Sequence, residues 1–183
     1  MLNLKQYATG KAKTRPGYRG GFPSEVERIL KKLVAGSDKV LHLYSGRSDI
    51  GNIRVDLEQP EATHKMTVEE YISSDFGCQR FDWVILDPPY KIKQPGFLNN
   101  FKDARPLSGN ALLRDRISRF LRQHADNVLW LDYCVPAIRG FRRSKIWLCI
   151  PNNCYENVRC LSWLQRTGPE FHFNYEERTP AGK

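Results

Sequence analysis

The sequence predicts an α/β fold: a doubly wound, mostly parallel sheet that closes with an antiparallel hairpin. Three observations carry this expectation. Short β-type runs alternate with amphipathic helical stretches. One run, FDWVILD at 81–87, is almost wholly apolar, as a strand covered on both faces must be. The last two runs, KIWLCIP at 145–151 and NVRCLSWL at 157–164, are parted only by a short Asn-rich turn.

The elements follow in chain order. Residues 1–20 are basic and rich in glycine, and are expected to be extended or only partly ordered. PSEVERILKKLVAG reads as a helix, with Ser24 and Glu27 as a capping box, Val26, Ile29, Leu30 and Leu33 on one face, and Gly36 as its stop. KVLHLYSG gives a β run over Val40 to Tyr44, and NIRVDLE a second over Ile53 to Leu57 with an acid near its end. ATHKM reads as a third short strand, with a helical turn starting behind Thr67. After FDWVILD comes a loop of about twenty residues, a length that usually carries function. NALLRDRISRFLRQHAD then reads as an amphipathic helix through Leu113, Ile117, Phe120 and Leu121, followed by a buried strand, NVLWLDY.

At 183 residues the chain fits one domain, 1–183, with a core of ordinary size. The apolar runs are too short to cross a membrane, and the N-terminal residues have no apolar core of the signal-peptide kind. The expectation is a cytoplasmic protein with no membrane partner. Five cysteines fit a reducing compartment; Cys149, Cys154 and Cys160 lack paired CxxC spacing, so no metal is assigned. The formal charge of +9 predicts a polyanionic partner, of which nucleic acid is the commonest. There is no Walker-type loop and no paired nucleophile and base, which argues against phosphoryl and acyl transfer.

Proline lacks an N–H and has a fixed φ, so the strand 81–87 cannot continue through Pro88-Pro89. The chain therefore ends a buried strand on a carboxylate, a stiff elbow and a ring: Asp87, Pro88, Pro89, Tyr90. Ser45-Gly46, Asp56 and Tyr133-Cys134 also fall at strand ends, and in parallel sheets ligands bind outside the carboxyl ends of strands.

The order VLHLYSG, VDLE, ILDPPY resembles the S-adenosylmethionine-dependent amino-methyltransferases, which modify exocyclic amines of nucleobases. The match runs over about residues 40–164 as an order of elements and is sharp at DPPY. The resemblance implies a Rossmann-like sheet, reduced in size, and S-adenosylmethionine as cofactor. It implies that Asp87 and the Pro88 carbonyl accept the two N–H bonds of the target amine, that Pro89 stiffens them, and that Tyr90 stacks on an extruded base. Acceptors so aimed favour a pyramidal nitrogen and stabilise the charge that grows as the methyl arrives.

By the same resemblance Tyr44, Ser45, Gly46, Asp49 and Asp56 are expected to bind cofactor, with Gly46 close to its methionine part and Asp56 at the ribose. Phe22 and Pro23 either line that pocket or staple the first helix. Asp75 and Glu69-Glu70 lie where the family has an acid near the adenine. Three departures stand out: His42 replaces an acid near the end of the first strand, Ser48 replaces a second glycine, and only RSDIGN separates Gly46 from the next strand. Either the cofactor lobe is pared down or that next strand lies elsewhere, because parallel strands normally need a longer crossover.

The function expected is methylation of the N6 amine of adenine in DNA. Lys91, Lys93, Lys102 and Arg105 of the loop 91–109, with Arg139, Arg142 and Arg143, would hold phosphates. So small a recognition loop predicts a short or relaxed target sequence, or help from a partner. RNA or cytosine N4 as substrate, and a non-catalytic nucleic-acid-binding module on a decayed fold, are the alternatives. Oligomeric state is not legible.

Overall fold

The computed structural model describes residues 4–9, 22–89, 107, 110–151 and 158–168. In chain order these form β1 (Leu4–Thr9), α1 (Ser24–Val34), β2 (Val40–Leu43), β3 (Ile53–Asp56), β4 (His64–Lys65) and α2 (Val68–Ser73). A 3₁₀ turn (Asp75–Cys78), β5 (Phe81–Leu86), α3 (Ala111–His124), β6 (Ala125–Asp132), β7 (Phe141–Pro151) and β8 (Arg159–Arg166) follow. The strands make one mixed sheet in the order β1-β7-β8-β6-β5-β2-β3-β4. Among them β8 alone runs against the rest, pairing antiparallel with both β6 and β7. The architecture is therefore α/β with a mostly parallel sheet and a C-terminal antiparallel pair.

Helices cover both faces. Val26 and Leu30 of α1 bury against Val40, Ile85, Leu129, Leu131 and Leu161 on one face. Tyr71 of α2 and Leu113, Ile117, Phe120 and Leu121 of α3 bury against Leu41, Val55, Val84 and Val128 on the other. The period-3.6 stripe read from the sequence is thus the buried stripe of α3. Asn110 caps that helix by accepting from the Leu113 amide at 3.0 Å. Thr67 and Glu70 form a reciprocal capping box at the start of α2. Leu107 is buried in the α3-side core.

One expectation at the N-terminal side is corrected. The Ser24–Glu27 capping box does not form: Pro23 is the N-cap, without a side-chain cap, and the Glu27 amide donates to the Pro23 carbonyl at 3.0 Å. Packing decides this, because Pro23 is buried and the Phe22 ring stacks on His42, which brings the chain into the helix one residue early. Residues 4–9, within the segment expected to be extended or only partly ordered, are extended and supply an edge strand parallel to β7. Gly36, at φ 81°, follows the end of α1 as read from the sequence.

The β2–β3 connection resolves in favour of a pared-down lobe. The two strands pair in parallel, with Leu41 opposite Ile53 and Leu43 opposite Val55, and residues 44–52 join them without a helix. The return segment lies directly on β2. The Asn52 amide donates to the Val40 carbonyl at 3.0 Å, and the Val40 amide donates to Asn52 Oδ1 at 3.3 Å. Ile50 does the work of the missing helix, burying its side chain with Val26 and Leu30 of α1. Burial of one such side chain contributes roughly 2 kcal/mol. The β6–β7 connection repeats the device on the other face, where residues 133–140 also lack a helix and Ile138 enters the α3-side core.

So close a return needs glycine at 51. Its φ is 101°, and a Cβ there would sit 3.2 Å from the Val40 carbonyl oxygen and 3.3 Å from His42 Cβ. Gly51→Ala is expected to cost about 2–4 kcal/mol in urea unfolding. Gly36→Ala, with a similar positive φ but nothing within 4 Å of the added atom, is expected to cost about 1 kcal/mol. Equal costs would show that the close approach is not what selects Gly51.

Candidate active site

The order of the sheet reverses between β2 and β5: from β2 it runs outward to β3 and β4, and from β5 the other way to β6 and β8. Such a switch point leaves a crevice at the carboxyl ends of the two strands. Leu43 pairs with Leu86, so Tyr44 and Asp87 follow at adjacent strand ends. Two motifs more than forty residues apart in sequence thereby meet on one rim.

On the β5 side Leu86 and Pro88 are buried, while Asp87 and Pro89 are half-buried. The carboxylate thus leaves the sheet from a fully packed strand end, and the two prolines hold the backbone that carries it. Across the sheet, burial pushes the Cys149 thiol up to about 11, with the Asp87 charge a small contributor in the same direction. Cys149 is 1% exposed, a small apolar residue of β7. Tyr90, Lys91, Lys93, Lys102 and Arg105 lie outside the described residues.

On the β2 side the chain turns sharply through Tyr44 at φ 59° and Gly46 at φ 54°. A left-handed tyrosine is costly, and such outliers concentrate at functional turns. Burial, then the negative charge of Glu69, hold the Tyr44 phenol well above its ordinary range. Glu69, in the first turn of α2, is therefore the acid that stands beside this turn. Ser45 is 3% exposed, and its hydroxyl has no partner among the described residues.

Asp56 ties the rim together. Its Oδ2 accepts from the Gly46 amide at 3.0 Å, and its Oδ1 accepts from the Glu58 and Gln59 amides at 3.0 and 3.1 Å. A carboxylate offers about four lone-pair sites, so about one remains for anything else. Asp49 turns away from this cluster: it is an exposed partner of Lys31 on α1, at 3.0 Å. Phe22 packs against the core that holds Val26 and Leu30 of α1, and its ring also stacks on His42 with centroids 5.5 Å apart.

His42 takes the place of an acid because the return segment needs a donor. Its Nδ1 lies 3.0 Å from the Ile50 carbonyl, which can only accept, so Nδ1 carries the proton. Nε2 is then a bare acceptor, buried without a partner among the described residues. Burial is the largest cause that lowers its pKa, to about 4.

Sequence reasoning missed Asp132 and Arg114 on the same rim. Asp132, at the end of β6, is 4% exposed, accepts from the Tyr133 amide at 2.7 Å and faces the Arg114 guanidinium at 3.4 Å. Arg114 also lies 3.4 Å from Cys134 Sγ and 5.8 Å over the Trp130 ring. The sequence signal for Asp132 is an acid that closes an apolar strand.

Arg142 and Arg143 do not join Asp87. Arg142 opens β7 and stands level with Gln165 of β8, Asn127 of β6 and Trp83 of β5. That is four residues below Asp87, or about 13 Å down the strands. Arg143 donates to the Pro136 carbonyl at 3.1 Å, and Arg139 lies in the 133–140 connection just ahead of β7. The β6–β7 connection carries the chain from one rim to the other, which is why these arginines part from the site.

Because the folded pKa of His42 lies below its ordinary value, unfolding takes up a proton between about pH 6.5 and 4. Stability is full above that window and falls as pH drops through it, by up to about 1.4 kcal/mol per pH unit. His42→Gln is expected to remove this slope from urea unfolding curves taken at pH 7, 6, 5 and 4.5. An unchanged slope would assign the acid sensitivity elsewhere.

Neither a scan against protein-family models nor a search of curated proteins finds a match to this chain.

Proposed function

We propose that the chain is an S-adenosylmethionine-dependent methyltransferase that acts on the N6 amine of adenine in DNA, on a Rossmann-like sheet. One observation supports this above the others: Asp87-Pro88-Pro89 and the left-handed turn Tyr44–Gly46 stand at adjacent strand ends at the reversal of the sheet. An amine acceptor and a turn suited to a small organic group are thereby neighbours.

The turn fits the cofactor. Gly46 brings backbone close without a side chain, the buried Ser45 hydroxyl lacks a partner among the described residues, and Asp56 retains about one acceptor site. Ser45, Gly46 and Asp56 are the residues that would hold it, with Glu69 beside Tyr44. When bound, the cofactor supplies an electrophilic methyl group. The chain's own part is at the amine. Asp87 and the Pro88 carbonyl accept its two N–H bonds, the lone pair localises on nitrogen, and the carboxylate offsets the positive charge that follows. The prolines keep both acceptors in place, so little reorganisation accompanies the reaction. Tyr90 and the loop 91–109 take base and phosphates in this reading.

Full-length protein incubated with labelled methyl donor and mixed DNA is expected to label DNA, and nucleoside analysis to return N6-methyladenine. Asp87→Asn is expected to lower the rate by about 10²–10³-fold while leaving cofactor affinity within a few-fold. Wild type and variant labelling DNA equally, or not at all, would overturn the reading. Label on RNA or on cytosine N4 would redirect the substrate.

The engagement of Asp56 by three backbone amides favours one competing reading, a nucleic-acid-binding module without cofactor. Calorimetry with S-adenosylmethionine separates the two. Measurable heat, reduced at least tenfold in Ser45→Leu, is expected for the enzyme; no heat with retained, salt-sensitive DNA binding identifies the module.

A further inference from the structure

We propose that the rim opposite Asp87 holds a second nucleic-acid contact, a groove that binds the phosphates of a single strand. This rests on residues outside the candidate active site and stands whether or not the chain transfers methyl groups. An open groove of about 710 Å³ lies where β5 and β6 begin and β8 ends. Among the described residues Arg80, Arg122, Arg142 and Arg166 line it, with Asp126 as the one carboxylate.

The charges are held differently. Asp126 pairs with Arg80 and lies 3.4 Å from Arg166, which also donates to the Ala125 carbonyl at 3.0 Å. Those two guanidiniums are fixed by β6. Arg142 is exposed and donates to Gln165 at 3.1 Å, and Arg122 stands in the last turn of α3. Among the described residues one carboxylate faces four arginines and cannot neutralise them all, which leaves a positive field that a polyanion would satisfy.

Two aromatic rings lie behind the groove wall without lining it. Asn127, on the groove wall, accepts from Trp163 Nε1 at 3.1 Å, and the Trp163 ring lies 5.5 Å from that of Trp83. Both rings are half-buried on the face that α1 covers elsewhere. The cationic lining and its amide side chains, Gln123, Asn127 and Gln165, suit the phosphates of a single strand. From Asp126 to Asp132 at the other rim is six residues of β6, about 20 Å, so this contact is separate from the amine site.

Fluorescence anisotropy of a labelled single-stranded oligonucleotide, titrated with full-length protein over a salt series, tests this. Arg122→Glu with Arg142→Glu is expected to weaken binding at least tenfold and to lower the salt slope by about 1.4, the contribution of two single-strand phosphates. Lys32→Glu with Lys65→Glu makes the same change of net charge on exposed residues of α1 and β4, and is expected to weaken binding less than threefold. Circular dichroism melts check that both proteins fold; should the glutamate pair fail, Arg122→Gln with Arg142→Gln is expected to lower the slope by the same amount. Equal weakening by the two pairs would overturn the proposal, as it would reduce the groove to net charge. Displacement of the oligonucleotide by polyglutamate at equal charge concentration would overturn it in favour of an acidic protein partner.

Discussion

The candidate site at the carboxyl rim of the sheet depends on one constraint: β2 and β3 lie side by side in parallel and only residues 44–52 join them. A helical crossover does not fit in that length, so the chain must come straight back over the strand it has just left. Each unusual residue of the region answers to this. Gly51 permits the approach to the Val40 carbonyl. His42 gives the Ile50 carbonyl a donor, because a buried carbonyl left unpaired costs more than a hydrogen bond contributes. Ile50 fills the space beneath α1. Tyr44 and Gly46 take left-handed backbone so that the chain can reverse at once after Leu43.

The same constraint makes the rim stiff. Asp56 gathers amides from the turn after β2 and from the chain after β3, so two loops that could move separately are tied to one carboxylate. Asp132 does the like at the end of β6 with the Tyr133 amide and Arg114. Asp87 lies between these anchored ends. Rigid supports of this kind hold a reacting group in place without reorganisation, and the stiffness comes from backbone amides captured by acids rather than from bulk.

Much of this was legible along the chain because it is local. The stop at Pro88-Pro89, the stripe of Leu113, Ile117, Phe120 and Leu121, and the start behind Thr67 each follow from neighbours within a few residues. What was not legible is non-local. The edge strand Leu4–Thr9 owes its existence to β7, more than a hundred residues later. The opening of α1 depends on Phe22 meeting His42 rather than on Ser24 and Glu27. The placing of Arg142 depends on which way the 133–140 connection runs. His42 looked like the loss of an acid, since nothing in the sequence says that a carbonyl will lie against it.

Helix α3 ends at His124 and β6 begins at Ala125, with no intervening residue. A helix of that length measures about 21 Å, close to the span of the strand that returns beside it. The junction has no hinge, so helix and strand act as a gauge of set length between the two rims. Arg122 marks one end of the gauge and Arg114, beside Asp132, the other. Between those two arginines the helix axis measures about 12 Å, eight residues at about 1.5 Å each, so their separation is set by the helix itself.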